Sequence, residues 1–360
     1  MAVPIADLHC DTAIALAAGR RLDDPELQVN LPAMAEAGIG LQVFACYVPP
    51  AVPEGRRFDF ASRLLDGLDR ELDAFSGEIS VCRTSQDVLD ARAEGRFAAV
   101  LAVENGDALE NDLGNLERLY ARGVRLMTLV HSRSNAWVIS SADREPAFDG
   151  LTRFGEEVVA AMNKMGLIVD VSHAHDTAVR KVLSLTCQPI VASHSCSYTL
   201  CPVPRNLKDD LIKGIAAGGG LIGVNIYPGF LDARYRKESE RAGDLFERLC
   251  REEEKAGADP AAHFSLLRDL AVQFSKAMER YRVPLDRYLE HIYHLINIAG
   301  EDHVAFGSDF DGVPDLPAGV TGCRGLRTAQ ERLSEAEMPR KTLEKVCWTN
   351  FLRVFRDVCG

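Results

Sequence analysis

The sequence predicts an α/β fold, a single (β/α)8 TIM-type barrel over residues 1–360. Three observations predict it. Short runs rich in Val, Ile and Leu recur along the chain, longer amphipathic segments separate them, and neither Gly/Ser-rich linkers nor low-complexity tracts break the alternation. Runs that are apolar on both faces suit parallel strands covered by helices, and eight such units suit a closed barrel better than an open sheet.

In chain order the expected strands are PIADLHC (4–10), LQVFACYV (41–48), FAAVLAVE (97–104), VRLMTLVH (124–131), LIVDVSH (167–173), PIVASHS (189–195), LIGVNIY (221–227) and HVAFGSDF (303–310). Between them FASRLLDGLDRELDAF, FGEEVVAAMNKMG and DDLIKGIAAGGG carry helical spacing with glycine at or near their ends. The stretch from about 230 to 299, between the seventh and eighth strands, is longer than one crossover needs and is mostly charged helix. It is expected as an excursion packed on the barrel or used in self-association as a homodimer. ERLSEAEMPRKTLEKVCWTNFLRVF supplies the closing helices.

Hydrophobic residues make up 47% of the chain and charged residues 26%, which excludes disordered and fibrous classes. A formal net charge of -12 disfavours nucleic acid and anionic membrane as partners, because the mean field repels polyanions. The opening MAVPIADLHC lacks a basic region followed by an apolar one, no run approaches the length of a membrane span, and NFLRVFRDVCG is too charged for a lipid-anchor signal. The expectation is a cytoplasmic protein. Ten cysteines without a CxxC pair are expected to be mostly buried free thiols, the close pair Cys196 and Cys201 included.

In a barrel of this kind the C-terminal strand ends carry the chemistry. There the sequence places His9 and Asp11, Glu104, His131, His173, His194 and Asp309. By the two-residue period of a strand, His9 and Asp11 face one side and Cys10 the other, so one strand offers imidazole and carboxylate to one ion. Three histidines and two carboxylates are too many for one four-coordinate zinc but fit two ions bridged by a shared carboxylate, and that implies hydrolysis. Each residue alone has a bland reading: a strand-end histidine is usually structural, Asp11 would cap the following helix, Glu104 would pair with an arginine, and Arg205 in CPVPRNL would lie on the surface. SHAH offers both His173 and His175; strand-end placement favours His173 as ligand, with His175 entering the next helix. His291, His294 and His303 are read as structural. Asp309 and Asp311 in GSDFDGV share a face, so spacing does not choose the proton carrier between them. Asp309 lies nearer the barrel mouth, and Asp311 before glycine reads equally well as a turn residue. Arg205 is also the kind of fixed cation that grips a carboxylate bidentately.

Together DLHCDT, VEN, LVHSRSNAW, VDVSH, SHS followed by RN, and GSDFDGV resemble the renal (membrane) dipeptidase family of amidohydrolase-like barrels, in order and spacing from about Asp7 to Val313. The resemblance implies a (β/α)8 barrel with two zinc ions that hydrolyses dipeptides with a metal-bridging hydroxide. It implies His9 and Asp11 as ligands of the first ion, His173 and His194 as ligands of the second, and Glu104 as the bridge. Asp309 matches the proton shuttle, His131 the residue that steadies the tetrahedral intermediate, and Arg205 the grip on the dipeptide's carboxylate. It further suggests tolerance of a D-residue at the C-terminal position. Two departures stand out: Asn105 occupies a position where the family has glycine, and WTN stands where Gly-Gly-Asn is usual. The alternatives are hydrolysis of N-acyl amino acids or lactones on the same scaffold, or a non-catalytic barrel.

Overall fold

The computed structural model describes residues 3–241 and 255–360. Among the described residues nine strands lie in one parallel sheet: β1 (Ile5–Cys10), β2 (Ile39–Tyr47), β3 (Ile79–Val81), β4 (Phe97–Glu104), β5 (Val124–Thr128), β6 (Ile168–Asp170), β7 (Val191–Ser195), β8 (Leu221–Val224) and β9 (Val304–Phe306). The order β2-β1-β9-β8-β7-β6-β5-β4, with β2 also paired to β4, closes eight of them into a barrel. The ninth, β3, pairs with the first half of β4 from Ile79↔Phe97 to Val81↔Ala99. The sequence reading omitted it because three residues make too short a run to register. Five strands also stop earlier than expected, β2 by one residue at Tyr47, and β5 at Thr128, β6 at Asp170, β8 at Val224 and β9 at Phe306 by three or four. Two of the mouth residues beyond them, His173 (φ 66°) and Asp309 (φ 67°), have left-handed backbone, which cannot continue a ladder.

Ala6, Leu8, Leu41, Val100, Leu126, Ile168, Val191, Leu221 and Ala305, drawn from all eight barrel strands, join Trp348, Phe351 and Phe355 in one buried apolar cluster. Most lie early in their strands, so this cluster fills the N-terminal half of the barrel and the terminal helix (Asn350–Cys359) closes that end. The opposite mouth is left for chemistry. The WTN departure is a packing feature. Trp348 sits in a π-helical turn (Lys345–Thr349) against Gly40, where an added Cβ would lie 2.9 Å from the indole. Asn350 donates to the carbonyls of Glu301 and Val304.

Between β8 and β9 the described helices run Pro228–Leu231, Ala233–Arg241, Pro260–Met278 and Asp286–Ala299, matching the expected excursion; its middle, 242–254, lies outside the described residues. Tyr227, Tyr235, Phe274, Met278, Val283 and Val313 form a small core of their own. Beside it the buried Asp315 accepts from Tyr235 Oη at 2.7 Å and Ser275 Oγ at 3.0 Å, tying the excursion to the loop that follows β9. Among the described residues no helix is long and apolar enough to cross a membrane. The described cysteines are free thiols, most of them buried; burial raises the pKa of Cys196 and Cys201, which argues against a reactive thiolate pair.

Candidate metal centre

β1 does not end its pairing at Cys10. Cys10 bridges Phe310, Asp11 N–H donates to the Phe310 carbonyl at 2.8 Å, and Asp309 N–H donates to the His9 carbonyl at 3.1 Å. This zip sets His9, Asp11 and Asp309 side by side, while Cys10 packs into the apolar shell. Asp11 occupies the N-cap position of the helix Thr12–Ala17, yet its side chain makes no capping bond. Its Oδ1 and the Nε2 of His9 are buried without a hydrogen-bond partner. Buried polar atoms are rarely left so, and two of them on adjacent side chains are what a ligand pair requires.

Glu104 ends β4, opposite Tyr47 of β2 and Thr128 of β5. Its two oxygens face different partners. Oε2 lies 3.6 Å from His9 Nε2, whereas Oε1 lies 3.2 Å from His173 Nε2 and 3.3 Å from His194 Nε2. The nitrogens of His173 and His194 are themselves 2.9 Å apart. Two donor sets result, His9–Asp11–Glu104 and Glu104–His173–His194, each with its donor atoms within 4.8 Å of one another; His9, His194 and Asp309 meet the same limit. The mixture of imidazole and carboxylate suits a borderline dication such as zinc, so the residues present fit the group the sequence implies.

Electrostatics follow from packing these groups out of water. Burial would lower the pKa of His9, but Glu104 and Asp11 outweigh it and raise it well above the ordinary value. Burial would raise the pKa of Glu104, but His9 and His131, with the bonds from His173 and His194, hold it well below. His194 is pushed down to about 3 by burial and His9, and His131 down to about 4 by burial, with Arg205 and His9 adding to the effect against Glu104. Burial and Glu104 push Asp11 up to about 6. Asp309 is raised well above the carboxylate range, first by burial and then by Asp11 and Glu104.

The structure separates residues that spacing left together. Asp311 points away from the cluster and accepts from Thr12 Oγ1 at 2.6 Å and the Gln28 N–H at 2.9 Å, a satisfied turn residue. Asp309 instead faces His9, Oδ1 to Nε2 3.9 Å, and its Oδ2 accepts from Asn225 Nδ2 at 2.8 Å. His175 caps the helix Asp176–Leu185 by accepting from the Thr177 N–H. His291 is bonded to the Ser197 N–H and the Leu231 carbonyl, His294 lies 3.3 Å from Asp209, and His303 bonds Gly220. His131 sits three residues past β5, its Nε2 4.0 Å from Glu104 Oε1 and its ring against Tyr47. Arg205 is half-buried and anchored, not a free surface side chain: its guanidinium donates to Ser195 Oγ at 2.8 Å and the His194 carbonyl at 2.7 Å, and its Nε is buried without a partner. Asn105 has φ 84°, a backbone glycine adopts freely, and its amide is turned onto the Val48 carbonyl and Asp107, away from the cluster.

The sequence reading missed Asn225, Asp170 and Ser193, which brace the cluster from behind. The signal for the first two was present, a polar residue inside an otherwise apolar strand (LIGVNIY, LIVDVSH).

The profile of the family described as membrane dipeptidase (peptidase family M19) matches residues 1–359. An uncharacterised dipeptidase of Schizosaccharomyces pombe is 27% identical over 303 residues, 81% of this chain and 62% of the relative. The chain thus spans 62% of the length of that curated relative. Among solved structures, a dipeptidase of metallopeptidase family M19 superposes with a TM-score of 0.82 at 25% identity, covering 100% of both chains. A metallopeptidase of Rhodobacter sphaeroides, solved with a phosphinate mimic of the dipeptide L-Ala-D-Ala, gives 0.81 at 24% identity, covering 99% of this chain and 100% of its own, and shares the fold.

Proposed function

The chain belongs to the membrane dipeptidase family, peptidase family M19, and on that premise we propose that it is a metal-dependent dipeptidase that cleaves L-Xaa-L-Xaa and L-Xaa-D-Xaa dipeptides with two zinc ions at the barrel mouth. The observation that carries the reading is the division of Glu104, one oxygen toward His9 and the other toward His173 and His194. His9 and Asp11 would hold one ion, His173 and His194 the other, and Glu104 both. When bound there, a dication pair supplies Lewis acidity and activation of water near neutral pH.

The remaining steps belong to the chain's own side chains. Asp309 Oδ1, free of the Asn225 bond that pins Oδ2, takes the proton of the attacking water and returns it to the leaving amine. Burial raises its proton affinity, which suits the second half of that cycle. His131, kept neutral by burial, offers an N–H to the oxygen that gains charge as the carbonyl becomes tetrahedral. Arg205, with its Nε unpartnered, faces the substrate's free carboxylate and limits substrates to two residues. The dipeptide mimic bound by the Rhodobacter sphaeroides neighbour supports tolerance of a D-residue at the C-terminal position.

The test is steady-state hydrolysis by zinc-loaded protein of L-L, L-D and D-L dipeptides, with their C-terminal amides, N-acyl amino acids and lactones alongside. Turnover confined to dipeptides with a free carboxylate is expected; turnover of acyl amino acids or lactones in their place would reassign the substrate class.

A further inference from the structure

Asp170 ends β6 inside the barrel, with no exposed surface. Its Oδ1 accepts the N–H groups of Ser172 and Ser193, both at 2.9 Å. Its Oδ2 accepts the hydroxyls of Thr128 at 2.6 Å and Ser193 at 2.5 Å. Four donors converge on one carboxyl group, which leaves no place for an acid proton and commits the single hydrogen of Ser193 to Asp170. Toward its other neighbours the Ser193 oxygen then shows only lone pairs. Those neighbours are two imidazole nitrogens, Nδ1 of His194 at 2.7 Å and Nδ1 of His9 at 3.4 Å, and the Ser172 hydroxyl at 3.4 Å. Two lone pairs at 2.7 Å repel, so His194 must carry its hydrogen on Nδ1, and the same oxygen favours that arrangement in His9. A neutral imidazole has one N–H, so Nε2 of His194 is left bare on the side facing Glu104, and in His9 the contact to Ser193 keeps Nδ1–H and makes Nε2 the nitrogen that is bare once the ring is neutral.

The peptide of Ser193 is clamped. A Cβ added at Gly223 would lie 2.0 Å from the Ser193 carbonyl oxygen and one at Gly307 would lie 1.8 Å from it, so β8 and the residue that follows β9 close directly onto that group. The clamp holds the hydroxyl among its four partners, Asp170, His194, His9 and Ser172.

We propose that Asp170 and Ser193 are positioning residues that act through His9 and His194, fixing in both rings the tautomer that presents Nε2 to a metal ion. One hydroxyl thereby prepares a ligand in each of the two donor sets and couples them. The inference rests on the reading of His9 and His194 as ligands, and the experiment separates the two.

In metal-free protein labelled with 15N-histidine, long-range nitrogen–proton correlation spectra report which ring nitrogen of His194 and His9 is protonated. Nδ1–H is expected in the native chain; Nε2–H in His194 would overturn the proposal. Zinc affinity, measured by competition with a chromogenic chelator, is expected to fall roughly 10–100-fold in Ser193→Ala, the usual consequence of removing a partner behind a ligand. Asp170→Asn keeps the shape of the side chain, but its amide nitrogen donates to Ser193 and turns the serine proton onto an imidazole. It is expected to shift His194 toward Nε2–H and to weaken zinc at least as much, with the thermal transition retained. If Ser193→Ala does not fold, Asp170→Asn carries the test. Unchanged zinc affinity and tautomer in a folded variant would refute the relay. A native chain that takes up no zinc would remove the ligand reading, while the spectra would still decide the tautomer.

Discussion

Gly312 stands against two of the three carboxylates of the mouth, Asp11 and Asp309, and adding one methyl group there tests how closely the site is built. A Cβ at Gly312 would lie 1.9 Å from Asp11 Oδ2 and 2.7 Å from Asp309 Oδ1. Gly312 is not among the residues with positive φ, so alanine meets no backbone strain and the effect comes from the contact alone. Restoring ordinary contact at 3.4 Å requires the Asp11 oxygen to retreat by about 1.5 Å, and Asp11 has almost no free volume, being 6% exposed with its N–H held by Phe310. The retreat takes Oδ2 away from His9 Nε2, 3.7 Å distant, and breaks one donor set. A misplacement near 1 Å costs on the order of 100-fold in rate, and zinc should weaken in parallel. Gly312→Ala is therefore expected to keep its fold by circular dichroism, bind the first zinc equivalent but lose most affinity for the other, and drop kcat/KM by about 100-fold. Native affinity and turnover in this variant would show that Asp11 is not a ligand in the position described.

Three further outcomes follow from the same geometry. Asp309→Asn should retain zinc but lose about 100- to 10,000-fold in kcat, as general acid–base groups do; full turnover would remove Asp309 from the proton path. Arg205→Ala should raise KM for free dipeptides and abolish the preference over their C-terminal amides, with unchanged discrimination counting against the carboxylate grip. Asp315→Ala should lower stability by about 1–3 kcal/mol in denaturant titration, because it strands the buried Tyr235 hydroxyl; a neutral effect would mean the excursion is not fastened there.

The fold was legible because barrel strands announce themselves as apolar runs, and all eight lie within or over the expected stretches. Strand β3 was not, since Ile79–Val81 is too short to stand out. The site was legible because chemistry in a barrel collects at one rim, so His9, Glu104, His173 and His194 could be tested as a set. Asp309 and Asp311 could not be separated by spacing, because their roles depend on partners far along the chain: Asn225 for one, Thr12 and Gln28 for the other. Arg205 illustrates the same limit. Its burial arises from β7, where His194 and Ser195 receive its guanidinium, and no local pattern reports that. The contact of Ser193 with His9 is likewise one between distant parts of the chain, invisible to periodicity.

The central claim is that the rim cluster is a two-ion centre whose occupancy makes the chain a dipeptidase. Metal-stripped protein should be titrated with zinc in a calorimeter while turnover of an L-L and an L-D dipeptide is followed on the same samples. Two equivalents per chain, with activity rising as the sites fill and vanishing on chelation, is the predicted result. Fewer than two equivalents at saturation, or dipeptide turnover that survives complete removal of metal, would contradict the account.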